Sequence, residues 1–252
     1  MADNNLIFGL NPILQLLNNN PEKIKEIYVS MHKDDKRVTE LINLAQNGSI
    51  SMQRVDPKKL DKLSAGQNHQ GVVAKIVAMP VLTESDLPAL INNSACPLLL
   101  ILDGVQDPHN LGACLRTADA AGVTAVIVPK DNAVGITPIV RKVASGAAET
   151  VPLVQVSNLA RTLKDLQQLG VWLVGTDADG TQTLYELDLL GPIALILGAE
   201  GEGMRQLTKK HCDYLVRLPM LGQVASLNVS VATGVCLYEV VRQRLNTPAK
   251  LA

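Results

Sequence analysis

Three segments set glycines and polar side chains directly after apolar runs of strand length, the place where open α/β sheets bind their ligands. The first runs Asp103-Gly104-Val105-Gln106-Asp107-Pro108-His109-Asn110-Leu111-Gly112-Ala113-Cys114-Leu115-Arg116, a turn followed by a helix, with Asn110 and Arg116 six residues apart. Asn110 stands near the helix start, where a plain N-cap and a ligand contact are equally open readings. Arg116 lies among Ala, Cys and Leu, so it either pairs with a buried acid or faces an anionic ligand. His109 is a candidate base, but beside a proline in a turn it reads better as structural.

The second segment, Gly198-Ala199-Glu200-Gly201-Glu202-Gly203, holds three glycines within six residues, which allows close backbone approach or positive-φ turns. Its order is not the dinucleotide fingerprint, and no Lys-Ser/Thr follows to make a phosphate loop. Glu200 between the glycines favours a ligand other than phosphate. The third, Leu218-Pro219-Met220-Leu221-Gly222-Gln223-Val224-Ala225-Ser226-Leu227-Asn228, enters the last helix, and either Ser226 or Asn228 can cap it. The turn Val174-Gly175-Thr176-Asp177 also follows an apolar run.

The elements that must carry these segments follow from apolar periodicity. Near-continuous apolar runs at 98–102, 125–128, 171–174, 193–197 and 215–218 predict strands covered on both faces, hence a parallel sheet with helices between, such as 158–169. The last helix is predicted over 228–245, with Val231, Val235, Tyr238 and Val241 at intervals of three and four. Residues 1–77 read as a small α/β unit led by a helix at 11–17, capped by Asn11 with Pro12 in its first turn. Residues 78–97, rich in Pro and Asn, read as a linker with one short helix, leaving 98–252 as the larger domain.

Composition bounds the partners. The 252 residues include 47% apolar types, enough for an ordinary globular core. Cys96, Cys114, Cys212 and Cys236 are far apart with no CxxC pair, so neither a metal site nor a disulfide framework is expected. With no signal-like start and no membrane-length apolar run, a soluble cytoplasmic protein without membrane contact is expected. The net charge of −1 supplies no global attraction to a polyanion, and 2% aromatics supply few stacking platforms. Residues 1–77 hold 10 basic against 8 acidic residues and 78–252 hold 13 against 16, so any polyanion site is local.

Taken together, Asn110, Arg116, Glu200 and Asn228 at these motif positions resemble the SpoU family of ribose 2′-O-methyltransferases, of the knotted SPOUT superfamily, and in particular its members acting on a guanosine of bacterial large-subunit ribosomal RNA. The resemblance extends to Phe8-Gly9-Leu10-Asn11-Pro12 and His69-Gln70-Gly71 near the start. It implies an α/β fold: a trefoil-knotted parallel-sheet methyltransferase domain behind a small N-terminal α/β domain that resembles a large-subunit ribosomal protein and recognises RNA. It implies S-adenosylmethionine as cofactor, held at Gly198, Leu218 and Leu227 with Ser226, Thr176 and Gly175 as wall residues, and it implies a homodimer acting on ribosomal RNA.

Within the family the position of Arg116 is assigned to proton removal. Guanidinium stays protonated near neutral pH, so gripping an RNA phosphate and stabilising the developing alkoxide fits Arg116 better, with a phosphate oxygen or water taking the proton. Asn110 and Asn228 are expected to orient groups, and Glu200 to hold Arg116 or Asn110. His69 is open between RNA contact and turn structure. The rival readings are a relative acting on transfer RNA and a non-catalytic RNA-binding assembly protein.

Overall fold

A computed structural model describes residues 5–33, 35–77, 80, 82–199 and 201–246. The chain divides into two compact units, Met1–Pro80 with Ile136–Thr150, and Val81–Gly135 with Val151–Ala252.

The first unit opens with β1 (Leu6–Phe8), α1 (Leu10–Asn19), β2 (Ile24–Ser30), α2 (Lys36–Asn47), β3 (Ser51–Val55), α3 (Pro57–Leu63) and β4 (Val72–Ile76). Its sheet runs β1-β4-β2-β3, antiparallel except for the β2–β3 pair. Strand alternation sends Ile7, Ile27 and Ala74 into one core with Ile13, Leu16, Val38 and Leu41 of α1 and α2. Phe8 and Val73 go to the opposite face, against Leu60 of α3. Helix α1 begins one residue before the expected Asn11. Gly9 stands at its N-cap with φ +100 and no side-chain bond, and Gln70 Oε1 instead accepts from Leu10 N–H at 2.9 Å. Asn11 Oδ1 accepts from Arg37.

The second unit contains β5 (Leu82–Thr83), α4 (Leu87–Asn92), β6 (Leu98–Asp103), α5 (Pro108–Ala120) and β7 (Ala125–Pro129). The chain then supplies α6 (Pro138–Ala144) to the first unit. It continues in the second with β8 (Leu153–Val156), α7 (Leu159–Gln168), β9 (Trp172–Thr176), β10 (Gln182–Thr183), β11 (Ile193–Gly198), α8 (Gln206–His211), β12 (Tyr214–Arg217) and α9 (Val229–Asn246). The sheet order is β10-β12-β9-β11-β6-β7-β8-β5, and every pair is parallel. Leu99, Ile101, Ala194 and Ile196 pack with Leu87 and Ile91 of α4 and Leu163 and Leu166 of α7. On the other face α9 packs against α5 and β11.

Two stretches behave differently from their sequence reading. The described part of 78–97 is more than a linker, because β5 extends the sheet beside β8 and α4 buries Leu87 and Ile91 in the core. Residues 136–150 belong with the first unit although they lie inside the larger domain's sequence. There Lys142 Nζ sits 5.5 Å from the Phe8 ring centre, and Arg141 pairs with Glu149, both nearly fully buried.

Helix α9 also turns a different face inward. The residues whose spacing marks the helix, Val231, Val235, Tyr238 and Val241, are exposed or half-buried, and Val229, Thr233, Cys236, Leu237 and Val240 fill the core. Both faces carry apolar residues, so periodicity alone could not choose between them. The C-terminal end of α9 is tied down by polar bonds. Gln243 accepts from Leu189 N–H at 2.9 Å and donates to Leu187 O at 3.0 Å, while Arg244 donates to the carbonyls of Cys96, Pro97 and Gly191.

Hydrogen bonds from Arg242, aided by Gln243 and outweighing desolvation, hold the Glu239 carboxyl below its usual range. Burial alone would raise Asp177, but bonds from Lys209 and the Asp179 N–H outweigh it and hold it low as well. A depressed carboxylate stabilises the fold above its unfolded pKa, and that contribution is lost as pH falls through the folded value. Urea midpoints are therefore expected to fall below about pH 4, and less steeply in Glu239→Gln or Asp177→Asn than in the parent. Equal acid slopes in all three proteins would refute the assignment.

Candidate active site

The first motif helix, α5, is capped by Asp107, whose carboxylate accepts from His109 N–H at 2.9 Å, with Pro108 next in the first turn where no N–H is needed. Asn110 is therefore not the cap. It is buried one residue beyond His109, and its Oδ1 accepts from Asn228 Nδ2 at 3.0 Å. The Asn228 Oδ1 in turn accepts from Ser230 N–H at 2.9 Å and Ser230 Oγ at 2.6 Å, which makes Asn228 the cap of α9. One amide thus starts the last helix and joins it to the first motif. Ser226 is exposed and makes no capping bond among the described residues.

Arg116, six residues further along α5 from Asn110, is exposed and makes no hydrogen bond or ion pair among the described residues. Of its two open readings, a charge facing an external anion is the one this placement favours. Glu200 lies outside the described residues.

The second and third segments meet around a cavity of about 830 Å³. Thr176, Gly198, Leu218, Ser226 and Leu227 all line it. At Gly198 a Cβ would collide with the backbone of Gly203 and Met204, so the loop that leaves β11 folds back onto the strand only because no side chain is there. Gly203 N–H donates to Ala199 O at 2.9 Å and closes that loop. Gly175 is absent from the wall. It is buried, and a Cβ on it would approach Cys212 Sγ to 2.6 Å and Met204 Cε to 2.8 Å, so it serves the packing beneath.

Three further charged residues on this wall lie outside the motif segments, Asp179, Lys209 and Arg217, and Glu202 of the second segment joins them. Lys209 pairs with Asp177, and Arg217 donates to Gly180 O at 2.7 Å. Their spacing in the chain gives no hint of the shared wall, which arises only when β9, β11 and β12 come together. The volume suits a nucleoside-sized ligand, with apolar wall for a base and polar groups to orient it. Asp177, Asp179 and Glu202 suit a cationic ligand and oppose a polyphosphate.

Thiol chemistry at neutral pH does not fit Cys114, Cys212 or Cys236. Burial pushes Cys114 up to about 11 and Cys236 up to about 12, and burial with the charge of Asp213 pushes Cys212 up to about 12. Among the described residues no group of three His, Cys, Asp or Glu is placed to hold a metal ion, and no helix is long and apolar enough to cross a membrane.

Comparison with known proteins adds to this geometry. Residues 97–238 match the SpoU rRNA Methylase family, and residues 6–80 match the RNA 2′-O ribose methyltransferase substrate binding family. The chain is 56% identical over 97% of its length to all of the 23S rRNA (guanosine-2′-O-)-methyltransferase RlmB of Pasteurella multocida. It is 55% identical to the protein of the same name from Haemophilus influenzae, over 96% of this chain and 98% of that one. Among solved structures, the SpoU methyltransferase AviRb of Streptomyces viridochromogenes, in complex with AdoMet, superposes with a TM-score of 0.78 at 26% identity, covering 96% of this chain and 91% of that one.

Asn228→Ala removes both the α9 cap and the bridge to Asn110, and a loss of about 1–2 kcal/mol in chemical unfolding is expected. Ser226→Ala is the control and stays within about 0.5 kcal/mol of the parent. The reverse ranking would move the cap to Ser226.

Proposed function

The chain belongs to the SpoU rRNA methylase family, and from that premise we propose that it transfers the methyl group of S-adenosylmethionine to the ribose 2′-hydroxyl of a guanosine in 23S ribosomal RNA. The observation that carries this reading is the single wall on which Gly198, Leu218, Ser226 and Leu227 meet, with the Asn110–Asn228 bridge at the start of α9. When bound, S-adenosylmethionine supplies a methyl group already activated on a sulfonium, so the protein has to orient, desolvate and stabilise charge.

Gly198, Leu218 and Leu227 hold the cofactor through backbone groups, with Thr176 and Ser226 on the wall. Asn110 and Asn228 fix each other through their amide bridge and orient the reacting groups, while Glu200 steadies Arg116 or Asn110. The exposed Arg116 guanidinium binds a phosphate beside the target ribose and stabilises the negative charge developing on its 2′-oxygen. A phosphate oxygen or water takes the proton, because guanidinium stays charged.

Residues 1–77 form the domain, similar to a large-subunit ribosomal protein, that recognises the RNA. The methyltransferase domain is the second unit, which includes β5 and α4 from the described part of 78–97 and leaves out 136–150. A trefoil knot in that domain is supported by the strand order. After β11 the chain crosses β9 to reach β12, between β9 and β10, and α9 then returns to α5 and β11. Its polar ties to 187–191 hold the stretch it has passed.

A homodimer is supported by α9, where Val231, Tyr238 and Leu245, 52%, 51% and 80% exposed, make an apolar stripe at seven-residue spacing. Such a stripe is a contact surface for a second helix. A ribosomal RNA substrate places the enzyme in the cytoplasm.

Tritium from labelled S-adenosylmethionine is expected in 23S RNA from a methylation-deficient strain, at one guanosine 2′-O position. Incorporation into transfer RNA alone would change the substrate class, and none into either RNA would leave an RNA-binding protein. Arg116→Lys is expected to weaken RNA binding and slow single-turnover transfer by about 10²-fold, with an unchanged pH profile. A profile that loses its basic-side dependence would make Arg116 the titrating base. Tyr238→Glu is expected to halve the mass measured by light scattering, whereas a monomeric parent would refute the dimer.

A further inference from the structure

Two ion pairs lie four residues apart on either side of the start of α8, and neither Arg205 nor Lys209 belongs to the motif residues discussed above. The Asp103 side chain is completely buried at the end of β6, where it registers with Gly198 of β11. Arg205 N–H donates to Asp103 Oδ2 at 3.0 Å, and Arg205 Nε donates to Asp103 Oδ1 at 2.6 Å. One turn later, Lys209 pairs with Asp177, the residue that follows β9, and Lys209 N–H donates to Arg205 O at 3.0 Å. Strands β6 and β9 are the two neighbours of β11 in the sheet.

The helix that follows the glycine loop is therefore pinned to the strand on each side of the one from which that loop departs. Between the end of β11 and the first pin at Arg205, Gly201, Glu202 and Gly203 line the cavity and Met204 is sunk in the core. A loop held at one end by the sheet and at the other by a short helix is only as well placed as that helix. Gly201 and Gly203 add no side-chain packing of their own.

We propose that Asp103–Arg205 and Asp177–Lys209 form an electrostatic clamp on α8 that holds the glycine loop in its cofactor-binding shape, making these four side chains positioning residues for the methyl-transfer site. The proposal rests on the cavity being the S-adenosylmethionine site. The clamp acts on the empty protein, before any ligand arrives, which separates it from a direct contact with the cofactor. Because both pins fix one short helix, removal of either one frees the loop and removal of the second adds little.

The test uses the full-length protein and the variants Asp103→Asn, Lys209→Met, their double combination and Lys209→Arg. Asp103→Asn is preferred to truncating Arg205, because it leaves a half-exposed cation hydrated rather than a buried carboxylate unpaired. By calorimetry each neutralising single variant is expected to bind S-adenosylmethionine about tenfold or more weakly, and the double variant within about twofold of the weaker single. Lys209→Arg keeps the pin and stays within about threefold of the parent. In the cofactor-free proteins, amides of 201–204 exchange hydrogen faster in the neutralised variants and at the parent rate in Lys209→Arg.

Parent affinity and parent exchange in Asp103→Asn and Lys209→Met would overturn the clamp while leaving the cofactor site intact. Weakened binding with unchanged exchange in the empty protein would also overturn it, by making Lys209 or Asp177 a direct ligand. Failure of the parent to bind S-adenosylmethionine would sink the functional reading itself.

Discussion

The carboxamide of Asn228 does two things that the site cannot do separately. Its oxygen satisfies the first turn of α9 through Ser230, and its nitrogen reaches Asn110 at 3.0 Å, 118 residues earlier in the chain. An amide can do this because it offers donor and acceptor at a fixed angle; a carboxylate would lose the donor, and a hydroxyl would lose the reach. The consequence spreads outward. The 218–227 segment must run from the end of β12 to this anchor, and in doing so it lines the same cavity as the glycine loop. Helix α9, once started there, packs on α5 and β11 and is tied at its far end by Gln243 and Arg244.

Much of the second unit is legible in the sequence for a simple reason. A strand covered on both faces has to be apolar at every position, and 98–102, 125–128 and 193–197 announce themselves by that continuity. The motif segments are legible as well, because a turn directly after such a strand has few places to go. Thr176, Gly198, Leu218, Ser226 and Leu227 accordingly share one cavity, whereas Gly175, two strand positions from Leu173 and facing the packed side, does not.

What stays hidden is what depends on distant partners. Asp107, and not Asn110, caps α5, since the Asp-Pro pair meets the needs of the first turn and frees Asn110 for a partner that no local pattern reveals. The inward face of α9 is likewise invisible, because its two apolar faces have equal periodicity and only the presence of α5 and β11 decides between them. Residues 136–150 join the first unit through the packing of α6 on β1 and α1 and the approach of Lys142 to Phe8, contacts that a reading by contiguous domains assigns to the wrong unit.

The near-neutral charge acquires meaning when its cations are sorted by what holds them. Arg141, Arg205, Lys209 and Arg242 are each committed to a carboxylate, and Arg217 and Arg244 to backbone carbonyls. Such groups shape the protein and are not available to a polyanion without undoing what they hold. Arg116 is different in kind, being exposed on a motif helix with no partner among the described residues. Net charge therefore understates the capacity for RNA in one place and overstates it in others, since the cations that matter for a phosphate are those the fold leaves exposed. Few aromatics are then no handicap, because contact with RNA phosphate and ribose draws on exposed cations and hydrogen-bonding groups more than on stacking rings.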